Sequence, residues 1–307
     1  MQSSDRDGMT AEDAFRFYES VRSRLPSAAH PQTFSHAADL GEIAENYDVF
    51  VFDAFGVLNV GDTPIAGARA RLDALRAAGK TVFVLTNAAS LGRQATLAKF
   101  ARLGFDFAER EIVSSREGAR LAFAAVPDKA NWGVITTAED ECADFDAPLR
   151  GLLDEAKPDF DAVEGIVFLS TARWTEDLQQ ALEASMLRRP RPLIVGNPDA
   201  VAPRESGLSL EPGFFGHRVA DRAGAPVAFH GKPFPSVYDL VERALPGGTP
   251  AGRVLMLGDT LHTDVLGAAA RGWATALVSD HGLFRGLDVE RFIEESGIVP
   301  DWIIPAI

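Results

Sequence analysis

Three stretches of this chain carry four apolar residues in a row with no alternation: Val49-Phe50-Val51-Phe52, Val82-Phe83-Val84-Leu85 and Val254-Leu255-Met256-Leu257. Such runs fit strands buried on both faces. Each run then releases polar residues. The first ends in Asp53-Ala54-Phe55-Gly56, the second in Thr86-Asn87, and the third in Gly258-Asp259-Thr260, with Asp264 following. Between them the apolar period becomes helical. A helix is expected over 64–78 with Leu72 and Leu75 inward, another over 90–103 capped by Ser90, and a third over 116–125 after a short strand at Ile112-Val113. Strands joined by helices of this length imply right-handed crossovers and a parallel sheet. Ligands of open α/β sheets bind at the strands' carboxyl ends, which makes Asp53 a candidate nucleophile or metal ligand. For this segment alone, a solvated aspartate in an ordinary strand-to-helix loop fits equally well.

The flanking regions extend the pattern. Residues 1–9 are polar and expected to fray, and a helix starts at Thr10 with Ala14, Phe15, Tyr18, Val21 and Leu25 at helical spacing up to Pro26. A loop is expected over 27–36 and a short helix over 40–44. After Pro127 come strands at 132–136, 162–169 and 192–195, with a helix at 175–187. The chain is expected to rejoin the first sheet near Leu210, run a helix over 214–223 and reach His230-Gly231-Lys232-Pro233. A strand at 253–257, a helix at 262–271, a strand at 274–278, a helix around 288–295 and an edge strand at Trp302-Ile303-Ile304 complete it.

Composition narrows the function. With 307 residues, 46% hydrophobic and 24% charged, the chain has the make-up of a globular protein with room for two domains. Thirty basic against 44 acidic residues give a net charge of −14, which argues against nucleic acid or an anionic membrane as a partner. An anionic substrate must therefore be held by local groups. Cys142 is the single cysteine, so neither a disulfide framework nor a thiolate metal cluster is expected. No apolar run is long enough to span a bilayer and the first residues lack the order of a secretory signal, so a cytoplasmic location is the default.

The residues FDAFGVLNVGDTPIAGA (52–68), VLTNAAS (84–90), HGKPFPSVYDL (230–240) and GDTLHTDVLGAAARGWATALV (258–278) together resemble the motifs of the haloacid dehalogenase superfamily, class IIA, which contains pyridoxal, phosphoglycolate and nitrophenyl phosphatases. The resemblance implies a Rossmann-like parallel-sheet core with an inserted α/β cap of C2 type. It divides the chain into an N-terminal extension (1–45), a core (46–126 and 206–307) and a cap (127–205). It implies a Mg²⁺-dependent phosphatase acting on a small phosphorylated metabolite through an aspartyl-phosphate on Asp53. Asp53, Asp259 and the backbone carbonyl of Phe55 would hold the metal with Asp264 in support. Thr86, Asn87, Ala88, Ala54, Phe55 and Lys232 would bind phosphate, with Thr86 and Lys232 also catalytic. Asn197 falls in Gly196-Asn197-Pro198-Asp199, a pattern the class carries where the cap returns, and is a candidate substrate contact. For Asp199 itself a plain turn is the preferred reading. Class members often pair through their caps, which suggests a homodimer.

One position departs from the class. Its phosphatases carry a second aspartate two residues after the nucleophile, as general acid and base, and here Phe55 stands there. A catalytically impaired protein that binds phosphorylated ligands is therefore the alternative. A 2-haloacid dehalogenase, which also lacks this aspartate, ranks last because Asp259 and Asp264 look like a metal motif. His230 and His262 flank motif residues and are expected mainly to hydrogen-bond their loops. Asn59 and Asp62 either approach the site or serve the turn around Gly61 and Pro64.

Overall fold

A computed structural model describes residues 9–155, 158–205 and 207–307. Seven strands form a parallel sheet, in the order Ser35–His36, Trp302–Ile304, Ala274–Val278, Val254–Gly258, Val49–Phe52, Thr81–Thr86 and Ile112–Ser114. The three unalternating runs lie side by side at its centre, with Phe52 paired to both Leu257 and Val84. Their alternate residues serve two cores. Phe50, Phe52, Val82, Val84, Leu255 and Leu257 pack with Leu72, Leu75 and Phe100 of the helices Ala68–Ala77 and Arg93–Arg102. Val49, Val51, Phe83, Leu85, Val254 and Met256 pack on the other face with Val237, Tyr238 and Val241 of the helix Pro235–Ala244. Both faces are covered, so neither face of these strands tolerates a polar residue.

From Val49–Phe52 the chain builds outward on one side through Thr81–Thr86 and Ile112–Ser114, then returns to the other side at Val254–Gly258. The order reverses between the strands that end at Asp53 and Asp259, and a crevice at that reversal is where open α/β sheets bind ligands.

A second parallel sheet runs in the order Val227–Phe229, Leu193–Val195, Gly165–Phe168, Trp132–Ile135, Arg150–Gly151. The helices Glu176–Arg188 and Pro212–Ala223 cover one face. The other is covered by Phe123 and Ala119 of the helix Ser115–Ala124, which leaves the first sheet's edge strand. That helix also brings buried Arg116 against Asp140 and Asp144, at 2.7 and 2.6 Å.

Several expected boundaries move. The chain does not rejoin the first sheet near Leu210: Pro212–Ala223 packs on the second sheet and Val227–Phe229 is its edge strand. The expected boundary between residues 205 and 206 falls between the strands Val201–Arg204 and Gly207–Leu210, which pair with each other in a separate antiparallel hairpin. Trp302–Ile304 is not an edge strand, because Ser35–His36, expected as loop, pairs outside it. Residues 64–67 are not helical; Thr63–Pro64 pairs with Asn59–Val60 in a small hairpin. The helix expected over 90–103 starts at Arg93 after Gly92, so Ser90 is not its cap. The helix expected over 262–271 opens with a wide π-type turn, Leu261–Val265, before Leu266–Ala269.

The N-terminal helix starts where expected, opened by a reciprocal cap between Thr10 and Asp13, but ends at Ser20 and gives way to a tighter turn over Arg22–Arg24 instead of running to Pro26. Of the residues expected to fray, 1–8 lie outside the described ones. Phe15 and Tyr18 bury against Leu261, Val265 and Phe292, which seats the helix behind the Asp259 loop. Among the described residues no helix is long and apolar enough to cross a membrane.

Candidate active site

Asp53 leaves its strand with its backbone N–H donating to the Leu257 carbonyl at 2.8 Å, which fixes it beside the neighbouring strand's end. Its Oδ1 accepts from the Ala54 N–H at 2.7 Å and lies 2.5 Å from Lys232 Nζ. The same ammonium reaches Asp264 Oδ1 at 2.7 Å. Asp264 is held in turn by the Thr260 N–H on Oδ2 at 3.1 Å, a contact set by the wide turn. Asp259 accepts from the Thr260 hydroxyl at 2.9 Å and the Leu283 N–H at 2.7 Å. Oxygens of Asp53, Asp259 and Asp264 lie within 4.8 Å of one another, all buried.

Two glycines make this approach possible. Gly56 has φ of +78°, and a Cβ there would sit 2.5 Å from Asp259 Oδ2. At Gly258 a Cβ would fall 2.0 Å from the Asp264 carboxyl carbon.

Two of the three buried carboxylates, Asp53 and Asp264, share the Lys232 ammonium. Burial, helped by the neighbouring Asp264 and opposed by Lys232, pushes the Asp53 carboxyl up to about 7. Burial together with Asp264 and Asp53 pushes Asp259 to about 8. Burial alone would weaken the Lys232 ammonium, but Asp264, Asp53 and Asp199 outweigh it and hold its proton above the ordinary lysine range. Hard oxygen donors with excess negative charge fit a divalent cation such as Mg²⁺.

The second strand's end adds donors. Asn87 Oδ1 accepts from the Lys232 N–H at 2.7 Å, while its Nδ2 donates to the Lys232 carbonyl at 2.9 Å and to Asp199 Oδ1 at 2.7 Å. Asn87 therefore clamps the lysine loop to the Asn197–Asp199 turn. That turn is real, with the Asp199 N–H bonded to Asn197 Oδ1 at 3.0 Å, yet the Asp199 carboxyl faces the site as well. Burial raises it well above the usual carboxylate range, against Lys232 and Asn87. The Thr86 hydroxyl accepts from the Ala88 N–H at 3.2 Å.

A cavity of about 1070 Å³ opens here between the two sheets, with Ala54, Phe55, Thr86, Ala88 and Asn197 in its wall. Other expected neighbours stay out of it. His262 pairs with Glu19 and stacks on Tyr18, and His230 bonds Ser236. Asn59 is buried with its amide on the Gly61 carbonyl, and Asp62 is exposed.

The residues next to Phe55 in the chain do not point to those that surround it in space. Lys99 Nζ lies 4.5 Å and Arg204 Cζ 4.9 Å from its ring centre, and both side chains line the cavity. Spacing carried a faint signal: Lys99 follows Thr96 by one helical turn, and Arg204 follows Ala202 along a strand, and all four line the cavity. The N-terminal helix also reaches the site indirectly, because the Tyr18 hydroxyl accepts from the Ala200 N–H at 2.9 Å.

Fold and site together define an α/β enzyme with its chemistry gathered at the carboxyl edge of a parallel sheet, beneath a second, smaller sheet. Residues 50–145 match the family model described as Haloacid dehalogenase-like hydrolase, and residues 229–306 match a second model of HAD-like hydrolases. Glycerol-3-phosphate phosphatase of Gallus gallus is 32% identical over 287 residues, 86% of this chain and 91% of that protein. The human glycerol-3-phosphate phosphatase is 30% identical over 290 residues, covering 85% and 88%. A possible sugar phosphatase of Cytophaga hutchinsonii superposes with a TM-score of 0.77 at 24% identity, covering 89% of this chain and 98% of that one. The chain belongs to the haloacid dehalogenase-like hydrolases of class IIA and is a hydrolase of the phosphoric monoester type.

Proposed function

We propose that this protein hydrolyses small phosphorylated metabolites through an aspartyl-phosphate on Asp53, with Mg²⁺ held by Asp53, Asp259 and the Phe55 carbonyl and supported by Asp264. The observation that carries the reading is Lys232 Nζ bridging Asp53 and Asp264 within a buried group of three carboxylates. Positive charge beside a carboxylate at a sheet's switch point is what in-line attack on phosphorus needs. A bound Mg²⁺ would offset charge on the phosphate and on the two ligating carboxylates. Asp53 forms the new bond to phosphorus as the ester P–O bond breaks, and water then cleaves the acyl phosphate to release inorganic phosphate. Thr86 and the amides around Asn87 and Ala88 face the phosphate oxygens, and Lys232 supplies the fixed cation. The glycerol-3-phosphate phosphatases among its relatives support a substrate of comparable size.

Phe55 holds no proton, so the leaving oxygen departs without a general acid at that position. Loss of such a group costs about 10²–10⁴-fold in rate. Turnover is then slow and steeply dependent on the leaving group, with nitrophenyl and acyl phosphates favoured. The purified protein with Mg²⁺ is expected to release phosphate from a metabolite panel and from nitrophenyl phosphate. Asp53→Asn or chelation should reduce this to background, and a flat panel for the wild type would refute the proposal. The same Phe55 favours a second reading, a ligand-binding protein without efficient turnover. Phosphorylated ligands would then raise the melting temperature in Mg²⁺ while phosphate release stays at background. Light scattering at micromolar protein decides the homodimer suggested by the class.

A further inference from the structure

We infer that the cavity selects phosphomonoesters carrying a second anionic group, carboxylate or phosphate, and that Lys99 and Arg204 hold that group beside Phe55. The inference rests on the phosphatase reading of the Asp53 edge. Two cations converge on one aromatic ring, two residues beyond the nucleophile, in a chain whose net charge is −14. They are held differently. Arg204 is anchored from behind, at 2.8 Å to Glu211 Oε1 and 2.9 Å to Ser209 Oγ. Lys99 is half-buried and has no ion-pair partner among the described residues, and burial lowers its hold on its proton. An aromatic ring attracts a cation without cancelling its charge. An aspartate at position 55 would neutralise these groups, whereas Phe55 gathers them and leaves the Lys99 charge for a ligand, beside an Arg204 that Glu211 holds in place. Of the carboxyls in the cavity wall, Glu211 is bound to Arg204, Glu176 to Arg218 and Asp199 to the Asn87 amide, while Asp62 and Glu205 pull on Lys99 without forming an ion pair with it.

The test is calorimetric binding in Mg²⁺ to the Asp53→Asn variant, using pairs of ligands that differ in the distal group. These are 3-phosphoglycerate against glycerol 3-phosphate, and fructose 1,6-bisphosphate against fructose 6-phosphate. The anionic member of at least one pair should bind at least about tenfold tighter, as a charge-assisted contact confers. The pair that responds identifies the group as carboxylate or phosphate. Lys99→Met in the same background should bring the two members to within about threefold, while Lys99→Arg keeps the preference. Equal binding of both members in both pairs would overturn the inference, as would a preference that survives both Lys99→Met and Arg204→Met. If Asp53→Asn fails to fold, competition by the same pairs against nitrophenyl phosphate hydrolysis by the wild type gives the ratio. Wild-type phosphate release from nitrophenyl phosphate is scored separately. No release with the preference intact refutes the phosphatase reading alone; release without a preference refutes the second-anion site alone.

Discussion

The carboxyl edge of the seven-stranded sheet and the cavity wall around Phe55 are both ionic, but they are built on opposite terms. At the edge, Asp53, Asp259, Asp264 and Lys232 are almost wholly buried and each carries at least two defined hydrogen bonds or ion pairs. At the wall, Lys99 and Arg204 are half-buried, on long side chains steered by one ring. Charges in a dry pocket interact strongly, shift one another's protonation and cannot be broken singly without large cost. Partly solvated charges are screened and adjustable. The edge is suited to fixing a reaction and the wall to choosing among substrates.

The contrast is sharpest in how the two regions answer to metal and pH. Asp53 and Asp259 are raised in the fold, to about 7 and about 8, from an ordinary value of 3.8. Raised carboxyls contribute stability that is full below about pH 4 and is lost as pH climbs through 7 to 8. The metal-free protein should therefore melt progressively lower from about pH 5 to about pH 8 on account of these two groups. Mg²⁺ requires the ionised forms, so its stabilisation should grow over the same interval. At a hundredfold excess over its Kd it should contribute about 2.7 kcal/mol, roughly 5–10 °C in melting temperature. A Mg²⁺ shift that shrinks as pH rises would break the account of the edge.

Phe55→Asp joins the two regions. Restoring an acid and base should raise phosphate release by about tenfold or more, least for nitrophenyl phosphate. The new carboxylate would also draw in Lys99 and Arg204, weakening any preference for doubly anionic substrates. An unchanged or lower rate in a folded, Mg²⁺-binding variant would mean that another group transfers the proton. Asp199 would then be the first candidate, as the wall carboxyl whose only hydrogen bond among the described residues is to a neutral amide. The smallest effect is expected at Tyr18→Phe, which removes the acceptor of the Ala200 N–H without disturbing the edge. It should cost about 1 kcal/mol, roughly 2–4 °C in a thermal melt. No change would show that the N-terminal helix does not brace the cavity turn.

How legible each region is in the sequence follows the same division. The central strands could be read because burial on both faces forces unbroken apolar runs, and Asp53, Thr86, Asn87 and Asp259 follow them directly. Lys232 stands out only through its place between Gly231 and Pro233, in register with the other motifs. What could not be read depends on contacts across long separations. Val227–Phe229 and Ser35–His36 are short strands whose partners, not their composition, decide which sheet they join. The wide turn at Leu261–Val265 interrupts a helical pattern to bring Asp264 under Lys232, which periodicity alone does not show. Phe55 reads as a loss in the sequence because its neighbours in space, Lys99 and Arg204, lie far along the chain.

Asp53 as the nucleophile is open to direct observation because Phe55 stands where a base would be. Without a base at position 55 to activate water, the acyl phosphate should outlast its formation. Wild-type protein mixed with Mg²⁺ and excess nitrophenyl phosphate, quenched in acid within the first turnovers and digested, should yield the peptide containing Asp53 heavier by one phosphoryl group. A burst of nitrophenol equivalent to the enzyme should accompany it. Steady turnover with no burst and an unmodified Asp53 peptide, or a phosphoryl group on any other residue, would contradict the account.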